Sequence, residues 1–230
     1  VAACLPLKYD PDTPGFALGV SLAYLMYGTM YLTDLSSSST TTFSASDMAV
    51  TGALSIPISS GFLLGAAGKM ASQKIGDDYL SSFGFDFGLK IYLTEALSLG
   101  AAFQNLMSLK DGSGAPTNLR GGLGLAVPVD DAVFAVASAD VMFPLEKGGK
   151  MNVNIGVEAE YLPVHFRAGY VIGADIGAFS AGAGFEFLEE PTLRIDYALV
   201  PSGDAGLSHK ATLTAMFGEG SGKKSGKDSW

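Results

Sequence analysis

Two histidines, a lone cysteine and a set of acids and bases within otherwise apolar segments are the side chains in this sequence that could do chemistry. His165 stands two residues before Arg167, and His209 lies in the approach to the last apolar segment. Either could act as the base of a Ser–His–acid nucleophile, which needs three groups within hydrogen-bond reach. No nucleophile-elbow spacing, metal-binding histidine pair or phosphate loop accompanies them, so no catalysis, cofactor or metal is expected. Cys4 has no second cysteine to pair with, which removes a disulfide framework and a thiol-rich metal site. Val1-Ala2-Ala3-Cys4 matches a lipoprotein cleavage box, but that box needs a basic and an apolar region before it, so Cys4 reads as a strand residue.

The acids divide into two groups. Asp10, Asp12, Asp77, Asp78, Asp130, Asp131, Glu189 and Glu190 fall at expected turns, where aspartate favours tight backbone geometry. No Asp-x-Asp-x-Asp loop followed by Glu turns them into a calcium site. The remaining acids alternate with apolar residues inside longer segments, and those segments must position them.

Hydrophobic residues make up 48% of the chain and charged residues 16%, with a mean hydropathy of +0.31. No apolar run reaches the roughly 18 residues of a membrane helix. The apolar residues are instead spread over segments of about ten residues that alternate in hydropathy and are separated by turns, the distributed signature of a membrane β-barrel. The 30 glycines fit, because glycine lets strands curve and leaves space on one face. A net charge of −9 offers no basic stripe for phosphates, which argues against nucleic acid as a partner.

The fold class expected is all-β, an antiparallel transmembrane barrel. Its strands are read at Val1–Leu7, Phe16–Tyr27, Asp47–Ile58, Gly61–Ile75, Tyr79–Leu93, Leu97–Leu109 and Thr117–Val127. They continue at Ala132–Phe143, Met151–Leu162, Val164–Ile172, Phe179–Leu188, Leu193–Val200 and Ser208–Phe217. The last two form a long hairpin around Pro201–Gly206 that would close the barrel. About thirteen strands result, and since single-chain bacterial barrels have an even number, about fourteen are expected, with one lost before Val1. In the fifth strand Phe83, Phe85, Phe87, Leu89, Ile91 and Leu93 face one way and Asp86 and Lys90 the other, so a one-residue slip would put charge in lipid.

With each apolar set facing lipid, the inward positions hold six acids, Asp86, Asp140, Glu158, Glu160, Glu186 and Asp196, and six bases, Lys69, Lys90, Arg120, Arg167, Arg194 and Lys210. Balanced charges in a low-dielectric interior pair with one another, whereas an ion-selective pore would show an excess of one sign. A salt-bridged wall is therefore favoured over a wholly apolar path, and it leaves room for a local apolar pocket near Phe134, Val136 and Met142. The polar run from Ser36 to Thr42 cannot build a core and reads as a long outer loop; the stretch from Thr33 to Ser46 is the candidate partner site. Residues 1–217 form the barrel domain, and 218–230, rich in Gly, Ser and Lys, a flexible tail.

The closing segment RIDYALVPSGDAGLSHKATLTAMF resembles the C-terminal signature of the PorV/PorQ family of outer-membrane barrels, related in fold to FadL-type transporters of hydrophobic compounds. LAYLMYGTM (Leu22–Met30), FSASDMAV (Phe43–Val50), AAFQNLMS (Ala101–Ser108) and FRAGY (Phe166–Tyr170) add to the resemblance. It implies a location in the bacterial outer membrane and a fourteen-stranded barrel, with an N-terminal segment folded into the lumen that this sequence lacks. Phe217 resembles the terminal aromatic read during barrel assembly, although further residues follow it. The resemblance also implies a role in type IX secretion, in which the barrel binds C-terminal signal domains of exported proteins and passes them to the surface attachment machinery. The partners would then be the lipid bilayer, secreted cargo and the secretion machinery, with FadL-like passage of fatty acids or other apolar molecules as the alternative.

Overall fold

The computed structural model describes residues 1–7, 15–33, 40–106, 116–130, 132–173, 179–189, 192–201 and 206–217. Asp10, Asp12, Asp131, Glu190, residues 36–39 and the tail 218–230 lie outside these. The strands are β1 (Ala2–Leu7), β2 (Phe16–Thr33), β3 (Thr40–Ser59), β4 (Phe62–Ile75), β5 (Asp78–Tyr92), β6 (Leu97–Leu106) and β7 (Asn118–Pro128). They continue as β8 (Val133–Pro144), β9 (Asn152–Tyr161), β10 (Val164–Ile172), β11 (Phe179–Glu189), β12 (Thr192–Pro201) and β13 (Leu207–Met216). All thirteen belong to one sheet whose spatial order is the sequence order, and each pairing detailed here is antiparallel.

The chain divides into two compact units. The first comprises residues 1–91, 101–119 and 144–148, and is built on β1 to β5. The second comprises 92–100, 120–143 and 149–230, and is built on β9 to β13 with most of β7 and β8.

Alternation dictates which side chains share a face. On β5, Phe83, Phe85 and Phe87 are 48%, 45% and 52% exposed, while Asp86 between them faces the other side. The pattern recurs in Met48, Val50, Leu54 and Ile56 of β3, in Ile155 and Val157 of β9, and in Ile195 and Tyr197 of β12. Among the described residues only Ala45 and Ala126 are buried hydrophobics. One face is therefore largely apolar, with Lys74 over the Tyr79 ring near a strand end, and the other carries most of the charges.

Turns use the residues that their geometry asks for. Gly76, at φ 60, makes the left-handed turn between β4 and β5. Asp130 accepts the Ala132 and Val133 amides at 2.8 and 2.7 Å, an Asx turn that accounts for this acid without a cation.

The structure departs from the sequence expectation most clearly at β2 and β3. β2 continues to Thr33 and β3 starts at Thr40, so most of the described part of the expected loop from Thr33 to Ser46 is paired strand, with Tyr31 opposite Thr42 and Thr29 opposite Ser44. Threonine is β-branched and fits a pleated ladder whatever its polarity. Polarity decided where those side chains can lie, while the ladder satisfied their backbone. At 18 and 20 residues, β2 and β3 are about twice the roughly 9–11 residues that cross a hydrocarbon layer.

Candidate functional site

The polar face of the sheet holds the charges, and the register determines which of them meet. In the first unit Ala67 of β4 lies opposite Asp86 of β5, which brings Lys69 into an ion pair with Asp86. The other Asp86 oxygen accepts the Asn105 amide at 2.9 Å. Asn105, at φ 58, adopts the left-handed conformation that asparagine tolerates. Its side-chain amide donates to the Pro116 carbonyl at 3.0 Å, and its own carbonyl accepts from the Thr117 hydroxyl at 3.0 Å. Asp86 therefore holds a charge and an irregular backbone at once. Replacing it by leucine is expected to cost about 1–3 kcal/mol, because the Asn105 amide loses its acceptor as well as the lysine its partner. An unfolding midpoint equal to that of the unaltered protein would refute the pairing.

A second contact in this unit joins the Tyr27 hydroxyl, which donates to Asp47 Oδ2 at 2.6 Å. Asp47 was read only as the start of a strand. The register that puts Leu25 opposite Asp47 places Tyr27 within reach, and that register follows from the β2 extension.

In the second unit Arg120 of β7 donates through Nε to Asp140 Oδ1 at 2.6 Å, and Asn154 Nδ2 of β9 donates to the same oxygen at 2.7 Å. Gly122 makes room for this, since a Cβ there would lie 2.6 Å from that of Asp140. The largest cluster is centred on Arg167 of β10. Its Nε and Nη2 engage Glu158 at 3.0 and 3.1 Å, a two-pronged contact, and its Nη1 donates to Asp196 Oδ1. Arg194 Nε reaches the other Asp196 oxygen at 3.0 Å.

Arg167 and Asp196 are not on neighbouring strands, because β11 lies between β10 and β12. Gly182 faces Arg167 across the first pairing and Gly184 faces Asp196 across the second. A Cβ on Gly184 would stand 2.5 Å from Asp196 Oδ1 and 3.5 Å from Arg167 Nη1. The glycine leaves the corridor through which the guanidinium crosses a whole strand.

Beside this cluster lies His165, which is only 2% exposed. Its Nε2 is 3.0 Å from Glu186 Oε2, its Nδ1 is 3.6 Å from Glu158 Oε1, and Glu160 stands directly opposite it on β9. Among the described residues, Glu158, Glu160 and His165 form a group with donor atoms close enough for a metal ion. The hairpin signal Glu-x-Glu-Tyr-Leu-Pro-Val-His could have found it: a two-residue turn at Leu162-Pro163 forces Glu160 opposite His165. His209 is elsewhere. On the apolar face its Nδ1 lies 2.5 Å from the Tyr197 hydroxyl, so the sheet separates the two histidines.

Of the remaining expected charges, Lys90 shares the Asp86 face of β5. Lys210 lines a groove of about 510 Å³ with Glu158, Arg167 and Asp196, and Val136 of the expected apolar pocket belongs to the same groove. Phe217 follows β13 and is exposed.

No family model matches the sequence, and no curated protein matches it. Among solved structures the chain is similar to one described as "Crystal structure of a Pseudomonas aeruginosa FadL homologue", with 16% identity over 92% of this chain and 74% of that one, at a TM-score of 0.49. A likeness at that level carries no argument, and the fold rests on the thirteen strands and their register.

Proposed function

We propose that the chain is a bacterial outer-membrane β-barrel protein, with residues 1–217 as one barrel whose apolar face meets lipid and whose charged face lines the interior. The observation that carries this reading is the near absence of buried hydrophobics among the described residues beside a broad exposed apolar face. In water that face would cost about 25 cal/mol for each Å² left wet, so it needs a non-aqueous neighbour. Strands of nine to twelve residues from β6 to β13 suit a crossing of the hydrocarbon layer.

Within that reading the function is cargo binding of the PorV kind, in which the barrel receives C-terminal signal domains of secreted proteins and hands them to surface attachment machinery. Its support is the set of sequence segments quoted above together with the long β2–β3 ribbon, whose length beyond a membrane crossing offers backbone for a protein partner. The charged pairs of the polar face are then structural. A second reading, passage of apolar molecules, has its own observation. In the first unit a groove of about 470 Å³ is lined by Ala23, Leu25, Ala49, Ala71 and Leu80, an apolar patch bordered by Asp47 and Gln73.

Mass spectrometry of the barrel extracted gently from its own membrane separates the two. Secreted proteins that share a C-terminal β-domain are the expected co-purifying species. Fatty acids or other apolar molecules in near-stoichiometric amount, without protein cargo, would overturn the shuttle in favour of transport.

A further inference from the structure

We propose that Glu158, Glu160 and the Nδ1 atom of His165 form a binding site for one divalent transition-metal ion of the zinc class on the polar face of β9 and β10. The tight turn at Leu162-Pro163 sets the register, with Glu160 opposite His165 and Glu158 opposite Arg167. One donor atom from each of the three residues lies within 4.8 Å of the others.

The imidazole supplies the independent observation. A carboxylate only accepts hydrogen bonds, so the 3.0 Å contact to Glu186 Oε2 puts the ring hydrogen on Nε2 and leaves Nδ1 as a bare lone pair in the neutral ring. That Nδ1 is buried and has no hydrogen-bond partner. It faces Glu158 Oε1 at 3.6 Å, an oxygen of a half-exposed carboxylate that also accepts from Arg167 Nη2 at 3.1 Å. The buried Nδ1 is the atom that lacks a partner, and either a second ring proton or a metal ion can provide one.

Three features favour the metal. A second carboxylate, Glu160, brings an oxygen within 4.8 Å of a His165 ring nitrogen and of a Glu158 oxygen. The contact from Nε2–H to Glu186 is the orienting bond that metal-ligating imidazoles make through their other nitrogen, fixing the tautomer and raising the basicity of the ligating one. One imidazole nitrogen and two carboxylates form a donor set suited to zinc and its neighbours rather than to calcium or magnesium. The nearby bases do not close the site. Arg167 uses only part of the lone-pair capacity of Glu158, Arg194 is engaged with Asp196, and Lys210 is on β13, three strands away from β10. Three protein ligands leave coordination positions open toward the polar face, which makes the site one for an exchangeable ion rather than a closed structural one.

The test uses the full folded chain in detergent, stripped with chelator and titrated with Zn²⁺. Calorimetry is expected to show one equivalent bound. The sequence has two histidines, so ring-nitrogen magnetic resonance can follow each of them. The His165 Nδ1 signal is expected to move to a metal-bound position while those of His209 stay in place. Glu160→Gln, on a half-exposed side chain, is expected to weaken binding by about tenfold or more. No stoichiometric uptake by the unaltered protein would overturn the site. So would uptake that moves only His209, or a His165 ring that carries both hydrogens and ignores zinc. The readouts on the unaltered protein decide the matter even if the variant fails to fold, and none depends on what the barrel carries.

Discussion

Phe85→Arg is expected to lower the folding free energy in a phospholipid bilayer by about 2–4 kcal/mol, the range for a basic residue at the midplane of a barrel's lipid face. Phe85 lies at the middle of β5, opposite Gly68 of β4, and its ring covers the space that Gly68 leaves, the nearest ring carbon standing 3.7 Å from where a Cβ would be. The substitution therefore removes a cross-strand contact and puts a charge between Phe83 and Phe87 on the apolar face. Gln73→Arg is the control. Gln73 is exposed on the opposite face of the neighbouring strand, so an added charge there should stay within about 0.5 kcal/mol. Denaturant titrations followed by circular dichroism in vesicles would measure both. Equal small effects would mean that the apolar face does not meet lipid, and the membrane reading would fall with it.

The contrast between those two positions was legible in the sequence, because alternation reports the face of a strand directly. All thirteen strands were found, and the register of β5 was fixed by the cost of turning Asp86 and Lys90 over. Alternation is silent on two other matters. It does not say which residues of neighbouring strands stand opposite one another, which depends on where each turn lies and on bulges such as that between Met26 and Thr29. Nor does it say where a polar strand stops. The threonines at 40–42 read as loop because they cannot build a core, yet their backbone is paired in β3.

The same limit explains the candidate site. Twelve charges could be assigned to one face from the sequence, but the assignment says nothing of the glycines that let them meet. The glycines read as strand curvature and as space on one face, but not as the particular gap at Gly182 and Gly184 whose missing side chains allow Arg167 to bond across β11. His165 was passed over because no nucleophile elbow, metal-binding histidine pair or phosphate loop accompanies it in the sequence. Its partners are carboxylates brought in by one tight turn and by a strand further along.

Arg167 is the residue through which these contacts become a unit, and its replacement is the second large effect expected. Its guanidinium joins Glu158 on β9 to Asp196 on β12, and so ties together four consecutive strands. Arg167→Leu would leave Glu158 without its cation while Asp196 keeps Arg194. Breaking a fully buried pair costs about 3–5 kcal/mol; here the side chains are partly exposed, so about 2 kcal/mol is expected. Arg167→Lys separates charge from geometry. An ammonium cannot hold both Glu158 oxygens in a fork and reach Asp196 as well, so lysine should recover only part of the loss. If lysine restores the full unfolding midpoint, the strand-crossing geometry contributes nothing and only the local charge matters. If neither substitution moves the midpoint, the paired wall is not what orders the polar face, and the order must come from the backbone ladder alone.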